Sequence, residues 1–261
     1  MKDYPIKLGS ILFTLVQPHA GHEVEYNRWY ERDHFYAGCM ISAWNFAGQR
    51  WVATKDLKAL RYPIEPNPIT PSPQTGSYLA LYWILAGHHD EWNRWGVDQV
   101  TWLHANGRMF AERDHIHTLL YNFEWSVGHA EGVSPELALD HRYPGMAVTV
   151  VDATGDRGAL EEWYRTTVLP HRTSEGSPVD QVLAFTPRPL LGDAPADVGR
   201  TPDAAGRLLL LWFLNDPVEV VWDGQLAGHG AEVEASGLGR LVWASPFLPT
   251  IPGTDTYTDQ L

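Results

Sequence analysis

Ile11-Leu-Phe-Thr-Leu-Val16 and Met146-Ala-Val-Thr-Val-Val151 are the two stretches on which the fold turns. Each is an apolar run broken only by a threonine in fourth place, the composition of a buried β-strand. Each leads through a short polar turn into a helical segment carrying Trp-Tyr. These are Glu25-Tyr-Asn-Arg-Trp29-Tyr30 and Leu160-Glu-Glu-Trp163-Tyr164. Two such strands, each followed by the same aromatic pair, predict that the chain contains one structural unit twice.

Outward from those strands the halves keep step. Pro-rich loops follow, 62–75 and 187–206. Proline withholds a ladder donor, so both are expected outside the sheets, the first bordering a pocket mouth or a subunit contact. Each loop leads to an apolar strand, Tyr78-Leu-Ala-Leu-Tyr-Trp83-Ile-Leu and Arg207-Leu-Leu-Leu-Leu-Trp212-Phe-Leu, which sets Trp83 against Trp212. A second helix is expected from Asp90 to about Met109 and from Asp216 to about Ala235. Each half closes on a strand, Thr118–Trp125 and Arg240–Ser245. Thr14 and Thr149 stand 135 residues apart, Trp29 and Trp163 134, Trp83 and Trp212 129. Loops of unequal length produce such drift.

Each half therefore reads β-α-β-β-α-β, the split βαβ unit. The expected fold is α+β, with two tandem ferredoxin-like repeats at 1–127 and 146–245. A linker occupies 128–145. The tail at 246–261, rich in proline, is expected to wrap the surface rather than enter a sheet. One such sheet has helices on a single face, and a second copy can cover the bare one, giving a pseudo-dimer within one chain. The alternative is that the halves pair with another subunit, as in a homodimer.

The formal net charge is −13, from 19 Lys+Arg against 32 Asp+Glu. That field repels a phosphate backbone and excludes nucleic acid as an expected partner. The single cysteine, Cys39, fits a reducing compartment. No apolar run approaches the roughly 20 residues that span a bilayer. A cytoplasmic location without membrane contact is expected. Twelve Trp, eleven Tyr and eight Phe suggest aromatic-lined interior space as well as two filled cores.

At Trp29-Tyr30-Glu31-Arg32-Asp33-His34 the first half resembles the dimeric α+β barrel superfamily, whose members often carry such a pair on the first helix with a His four residues on. Ala47-Gly48-Gln49-Arg50-Trp51 is similar to the segment that follows in them. The second half resembles the pattern less, because His171 stands seven residues after Tyr164. It is expected to be a degenerate copy. The resemblance implies a fold shared by EthD-like proteins, cofactor-free quinone-forming monooxygenases, polyketide cyclases, lactone isomerases and heme proteins such as chlorite dismutases. It selects no single chemistry among them.

On a helix Tyr26, Tyr30 and His34 recur at i, i+4 and i+8 and share one face. An imidazole beside two phenols near an apolar sheet is expected to titrate near neutrality and act as general acid or base. Tyr30 or Tyr26 would orient the substrate. Asn27 and Asp33 flank that face and, with Trp83 and Trp125, are expected to contact the substrate. The plain alternative makes His34 a helix C-cap. Cys39 reads as a small hydrophobe more readily than a nucleophile. His115 and His117 would share a strand face as metal ligands, but no further ligand stands at a diagnostic spacing. No metal is expected.

His104 and His229, on the second helices, are the residues a heme would use, on resemblance alone. No phosphate-binding glycine loop and no GxSxG occurs. The favoured expectation is an enzyme with no cofactor, acting on an apolar aromatic or polyketide-like substrate by lyase, isomerase or cyclase chemistry at His34. Heme-dependent oxidation or dehydration and cofactor-free oxygenation form the alternative. A non-catalytic ligand-binding barrel is a third.

Overall fold

In the computed structural model, which describes residues 5–129, 131–189, 191–194 and 204–261, eight antiparallel strands close into a barrel. The first half supplies β1 (Leu8–Pro18), α1 (Glu23–Trp29), β2 (Asn45–Val52), α2 (Lys55–Ala59), β3 (Tyr78–Leu85), α3 (His89–Ala105) and β4 (Arg113–Gly128). The second supplies β5 (Gly145–Ala153), α4 (Arg157–Trp163), α5 (Leu169–Arg172), β6 (Val179–Arg188), β7 (Arg207–Leu214), α6 (Val218–Gln225), α7 (His229–Ser236) and β8 (Gly239–Pro249). Around the barrel the order is β1-β3-β2-β8-β5-β7-β6-β4. Advancing every label by four returns the same circle, so the strand order has two-fold pseudo-symmetry. Trp29 and Trp163 both end a seven-residue helix, and in both a π-helical segment follows: π1 (Tyr30–Met40) and π2 (Tyr164–Val168).

Strand periodicity separates two apolar compartments. Ile11, Phe13 and Leu15 point into the barrel with Leu79, Leu81, Trp83 and Tyr121. Val16, Tyr78, Ala80 and Tyr82 face out toward α1 and π1, with Leu12 packed against them.

This alternation corrects the pairing of Trp83 with Trp212. Thr14 pairs with Ala80 and Thr149 with Leu210, so Tyr82 is the partner by position of Trp212. Trp83 lies in the barrel, donating to Pro135 O at 2.9 Å. Trp212 faces the helices and donates to Thr149 Oγ1. A one-residue offset reverses the face of a strand side chain, and matching two tryptophans by identity overlooked it.

Three boundaries also differ from expectation. Pro246–Pro249 belong to β8, with Ala147 opposite Pro246 and Trp51 opposite Pro249. Proline is accommodated because β8 meets β2 only at Trp51–Pro249 and Val52–Leu248, leaving most of that edge unbonded. Beyond Pro249 the tail does cross the first half: Asn27 donates to Thr254 O, and Lys55 N donates to Gln260 O at 2.7 Å. The second Pro-rich loop starts later than expected, since Pro187 and Arg188 still pair with Tyr121 and Leu120 in β4. Its residues 190 and 195–203 lie outside the described ones. The expected single helix from Asp216 is broken into α6 and α7 around Ala227 and Gly228. Tyr62 makes one isolated bridge with Ala244, and the rest of the first Pro-rich loop lies outside the strands, as expected.

Candidate active-site cavity

Between the outer face of β1 and β4 and the helices π1 and α3 lies a cavity of about 830 Å³, its open mouth included. Its walls are mainly apolar, and its polar groups come from four elements, Thr14 on β1 being one. Tyr30, His34 and Cys39 descend from π1, Arg113, His115 and Thr118 stand on β4, and Asn93 projects from α3.

π1 arranges the first set. Wider winding than an α-helix is uncommon and tends to occur at functional sites. His34 is not a C-cap, because the helix continues six residues beyond it. Its ring stacks on Trp29 (centroids 4.5 Å apart, 18° between planes) and meets Tyr30 edge-on. Gly38 leaves the room: a Cβ there would come within 2.7 Å of His34 Cε1. With Trp29 behind it the imidazole has nowhere to retreat. Gly38→Ala should therefore displace His34, costing about 1–3 kcal/mol in denaturant unfolding. Unchanged stability would show that the ring moves freely.

His34 Nδ1 is buried with no hydrogen-bond partner among the described residues. Burial first, then the neighbouring charge of Arg113 and the imidazoles of His115 and His104, push its pKa down to about 3. The expected titration near neutrality is thereby corrected, and His34 is a neutral imidazole over the physiological range. His117 is likewise pushed to about 3 by burial. In the unfolded chain both take up a proton near the ordinary imidazole value of 6.5. The folded state binds fewer protons, so their stabilisation is complete above pH 6.5 and declines as pH falls toward 3. The slope mid-window is on the order of 2–3 kcal/mol per pH unit. Urea unfolding at pH 7 and 5 checks it, and equal stability would contradict it.

Tyr30 and Tyr82 join hydroxyl to hydroxyl at 2.9 Å, and burial raises both phenols well above their ordinary range. Burial also pushes the Cys39 thiol up to about 12, which leaves it a protonated thiol. On β4, Arg113 Nη2 donates to His115 Nε2 at 3.2 Å. The proton is then on Nδ1, which donates to Thr118 Oγ1 at 3.0 Å, and Thr118 meets Thr14 at 2.8 Å. His115 and His117 do not share a face as expected. A bulge in the β1–β4 pairing sets Val16 opposite His115 but Leu15 opposite His117, sending His117 into the barrel against Tyr121.

The other expected contacts lie elsewhere. Tyr26 is packed among Trp29, Tyr30, Tyr78 and Phe110, outside the cavity lining. Asn27 is held between Thr254 O and Arg50 Nη1, and Asp33 pairs with Arg108. Trp125 donates to Glu161 Oε2. Arg113, Tyr82, Thr118 and Gly38 were not foreseen; the alternation Tyr78, Ala80, Tyr82 was the readable sign of the second.

The second half does not repeat the His34 arrangement. The common offset of Trp29 and Tyr30 to Trp163 and Tyr164 carries His34 to Val168. Tyr164, Trp212 and His229 are all buried there, with Tyr164 meeting His229 Nε2 at 2.8 Å.

Heme does not fit the residues expected to hold it. His229 spends its second nitrogen on Glu232, at 2.9 Å, and His104 is exposed on α3 and outside the cavity lining. His34 reaches the cavity, but a metal-bound imidazole ordinarily has its other nitrogen oriented by an acceptor, and Nδ1 has none. No group of three or more His, Cys, Asp or Glu suited to a metal ion occurs among the described residues. No helix among them is long and apolar enough to cross a membrane.

No protein-family model matches the sequence, and no curated protein matches it. Solved structures do. An anthrone oxidase-like protein shares 8% identity, with 95% of each chain covered and a TM-score of 0.53. A candidate monooxygenase of Fusobacterium nucleatum shares 9%, covering 95% of this chain and 94% of its own, at 0.51. A candidate chlorite dismutase shares 10%, covering 98% and 100%, at 0.50. Likeness over the whole length at such identities is likeness of fold alone, that of a closed α+β barrel.

Proposed function

Proceeding from an α+β barrel whose first half opens the His34 cavity, we propose that the protein is an oxidoreductase of the monooxygenase type. Its substrate is an apolar, enolisable aromatic molecule that supplies its own electrons to dioxygen. The observation that carries this reading is a neutral, unpartnered imidazole and a guanidinium lining one largely apolar cavity.

An aromatic ketone or phenol bound there places its oxygen within reach of Arg113, whose charge favours the enolate over the neutral form. The proton leaves the substrate carbon for His34. His34 is a weak base in the empty cavity because burial and Arg113 oppose its charge. An enolate beside Arg113 cancels that repulsion and pairs with the imidazolium. The Tyr30–Tyr82 hydroxyl pair stays neutral and offers a hydrogen bond.

Enolate formation is common to isomerase, cyclase and oxygenase chemistry, and the next step divides them. Addition of dioxygen to the enolate carbon gives a peroxide, whose O–O bond breaks to leave a carbonyl and water. A CH2 group and one O2 become C=O and H2O, with no outside reductant. The whole-length likeness to an anthrone oxidase-like protein and to a candidate monooxygenase supports this branch. The lyase, isomerase or cyclase reading would use the same enolate step at His34 and differs only in what the enolate does next. Incubation with anthrone under air, following quinone formation, tests the proposal. Isomerised product without oxygen uptake would favour the other branch, and binding without turnover a carrier.

A further inference from the structure

Strand alternation sets two threonines in the wall of the His34 cavity. Ile11, Phe13 and Leu15 enter the barrel, so Leu12, Thr14 and Val16 face the cavity; Leu119 and Tyr121 enter it on β4, so Thr118 and Leu120 face the cavity too. Thr14 and Thr118 stand opposite each other in the β1–β4 register and are 6% and 9% exposed. Packing alone does not call for them, since valine has the same shape and no polar atom to bury.

A proton count shows what the pair offers. The Arg113 side chain accepts no hydrogen bond, so its contact with His115 Nε2 puts the imidazole proton on Nδ1, which donates to Thr118 Oγ1 at 3.0 Å. The two hydroxyls carry one proton each and share one bond, at 2.8 Å. Whichever way that bond runs, one hydroxyl proton is left over, and no acceptor takes it among the described residues. The chain begins at a guanidinium and each donor polarises the next, which strengthens the last O–H. Arg113 is opposite Pro18 and Thr118 opposite Thr14, about 13 Å apart along the strand, with the Arg113 and His115 side chains bridging between. A substrate whose first oxygen meets Arg113 thus lays its far side against the threonines.

We propose that the Thr14–Thr118 pair donates a hydrogen bond to the oxygen that the reaction places on the substrate, first in the peroxide and then in the second carbonyl of the product. This rests on the oxygenase reading above. Dioxygen joins the enolate carbon, and the imidazolium of His34 protonates the outer oxygen. His34 next takes the remaining C–H proton, the C=O bond forms, the O–O bond breaks, and the departing hydroxide recovers that proton as water. The threonine hydroxyl keeps its own proton throughout and only holds the carbon-bound oxygen.

Binding of anthrone and anthraquinone to the full chain under argon, followed by tryptophan quenching, tests the inference, because the two differ only in the second carbonyl. Anthraquinone should bind about fivefold more tightly, the ordinary worth of one neutral hydrogen bond. Thr14→Val or Thr118→Val alone should keep that preference, since the remaining hydroxyl still has a proton to donate. The double valine variant should abolish it, and Thr14→Ser with Thr118→Ser should retain it. A ratio of two ligands on one protein does not depend on the fraction that folds. Equal affinity in the unaltered chain, or a preference that survives the double variant, would overturn the inference and leave enolate formation at His34 standing. Gly96→Leu fills the cavity, since a Cβ there meets Trp92 at an ordinary 3.6 Å. No saturable binding of either ligand, or binding undiminished in Gly96→Leu, would overturn the oxygenase reading and the inference together.

Discussion

His34→Phe should lower turnover by about 10²–10⁴-fold, the ordinary worth of a group that moves a proton in the transition state, while the protein keeps its thermal midpoint. Phenylalanine keeps a flat ring in the slot between Trp29 and the bare Cα of Gly38. It also removes a buried nitrogen that bonds to nothing, so stability should hold or rise. Paired assays of turnover and melting separate the roles. Full activity in the variant would make His34 a packing residue, and a collapsed midpoint would make the activity uninterpretable at that position. His34→Gln then decides, since it keeps polar capacity without an imidazole and should be as inactive as the phenylalanine variant.

Arg61→Met should be the most destabilising single change, costing about 3–5 kcal/mol. The guanidinium is 2% exposed and fully engaged by its surroundings. Nε donates to Ser245 Oγ at 2.8 Å, Nη1 to Pro73 O and Thr75 O, and Nη2 to Gly76 O. Trp243 and Phe247 lie near the charged carbon, at 5.6 and 5.7 Å to their ring centroids. Burial lowers its pKa to about 9, so the site holds the charge only because of these partners. Methionine leaves three carbonyls unpaired, takes its donor from Ser245 Oγ and unties the first Pro-rich loop from β8. Urea unfolding gives the loss, and limited proteolysis should cut near Pro73 in the variant first. A loss under about 1 kcal/mol would mean that water replaces the guanidinium.

Arg61 also shows what a sequence hides. The repeat could be read because strands and Trp-Tyr helices are local patterns, and the barrel follows from burying two bare sheet faces against each other. Arg61 looks like any loop arginine until the barrel closes and brings Ser245 to it. Tyr30 and His34 could be found by helical spacing, since they sit within one turn of each other. Arg113 and Thr118 could not, because the register of β4 against β1 places them. The bulge that separates His115 from His117 is invisible in their spacing, and so is the burial that takes His34 away from neutrality. Tyr26, on the same predicted face as His34, lies in the core because winding widens at Tyr30 and turns the later residues toward the cavity.

The most direct test of the central claim is stoichiometric: oxygen uptake by the purified protein with anthrone, measured alongside quinone formed and the absorption spectrum. One O2 should disappear per quinone, with no Soret band, no added reductant and no peroxide. Turnover that appears only after reconstitution with hemin, or only with hydrogen peroxide, would contradict the account.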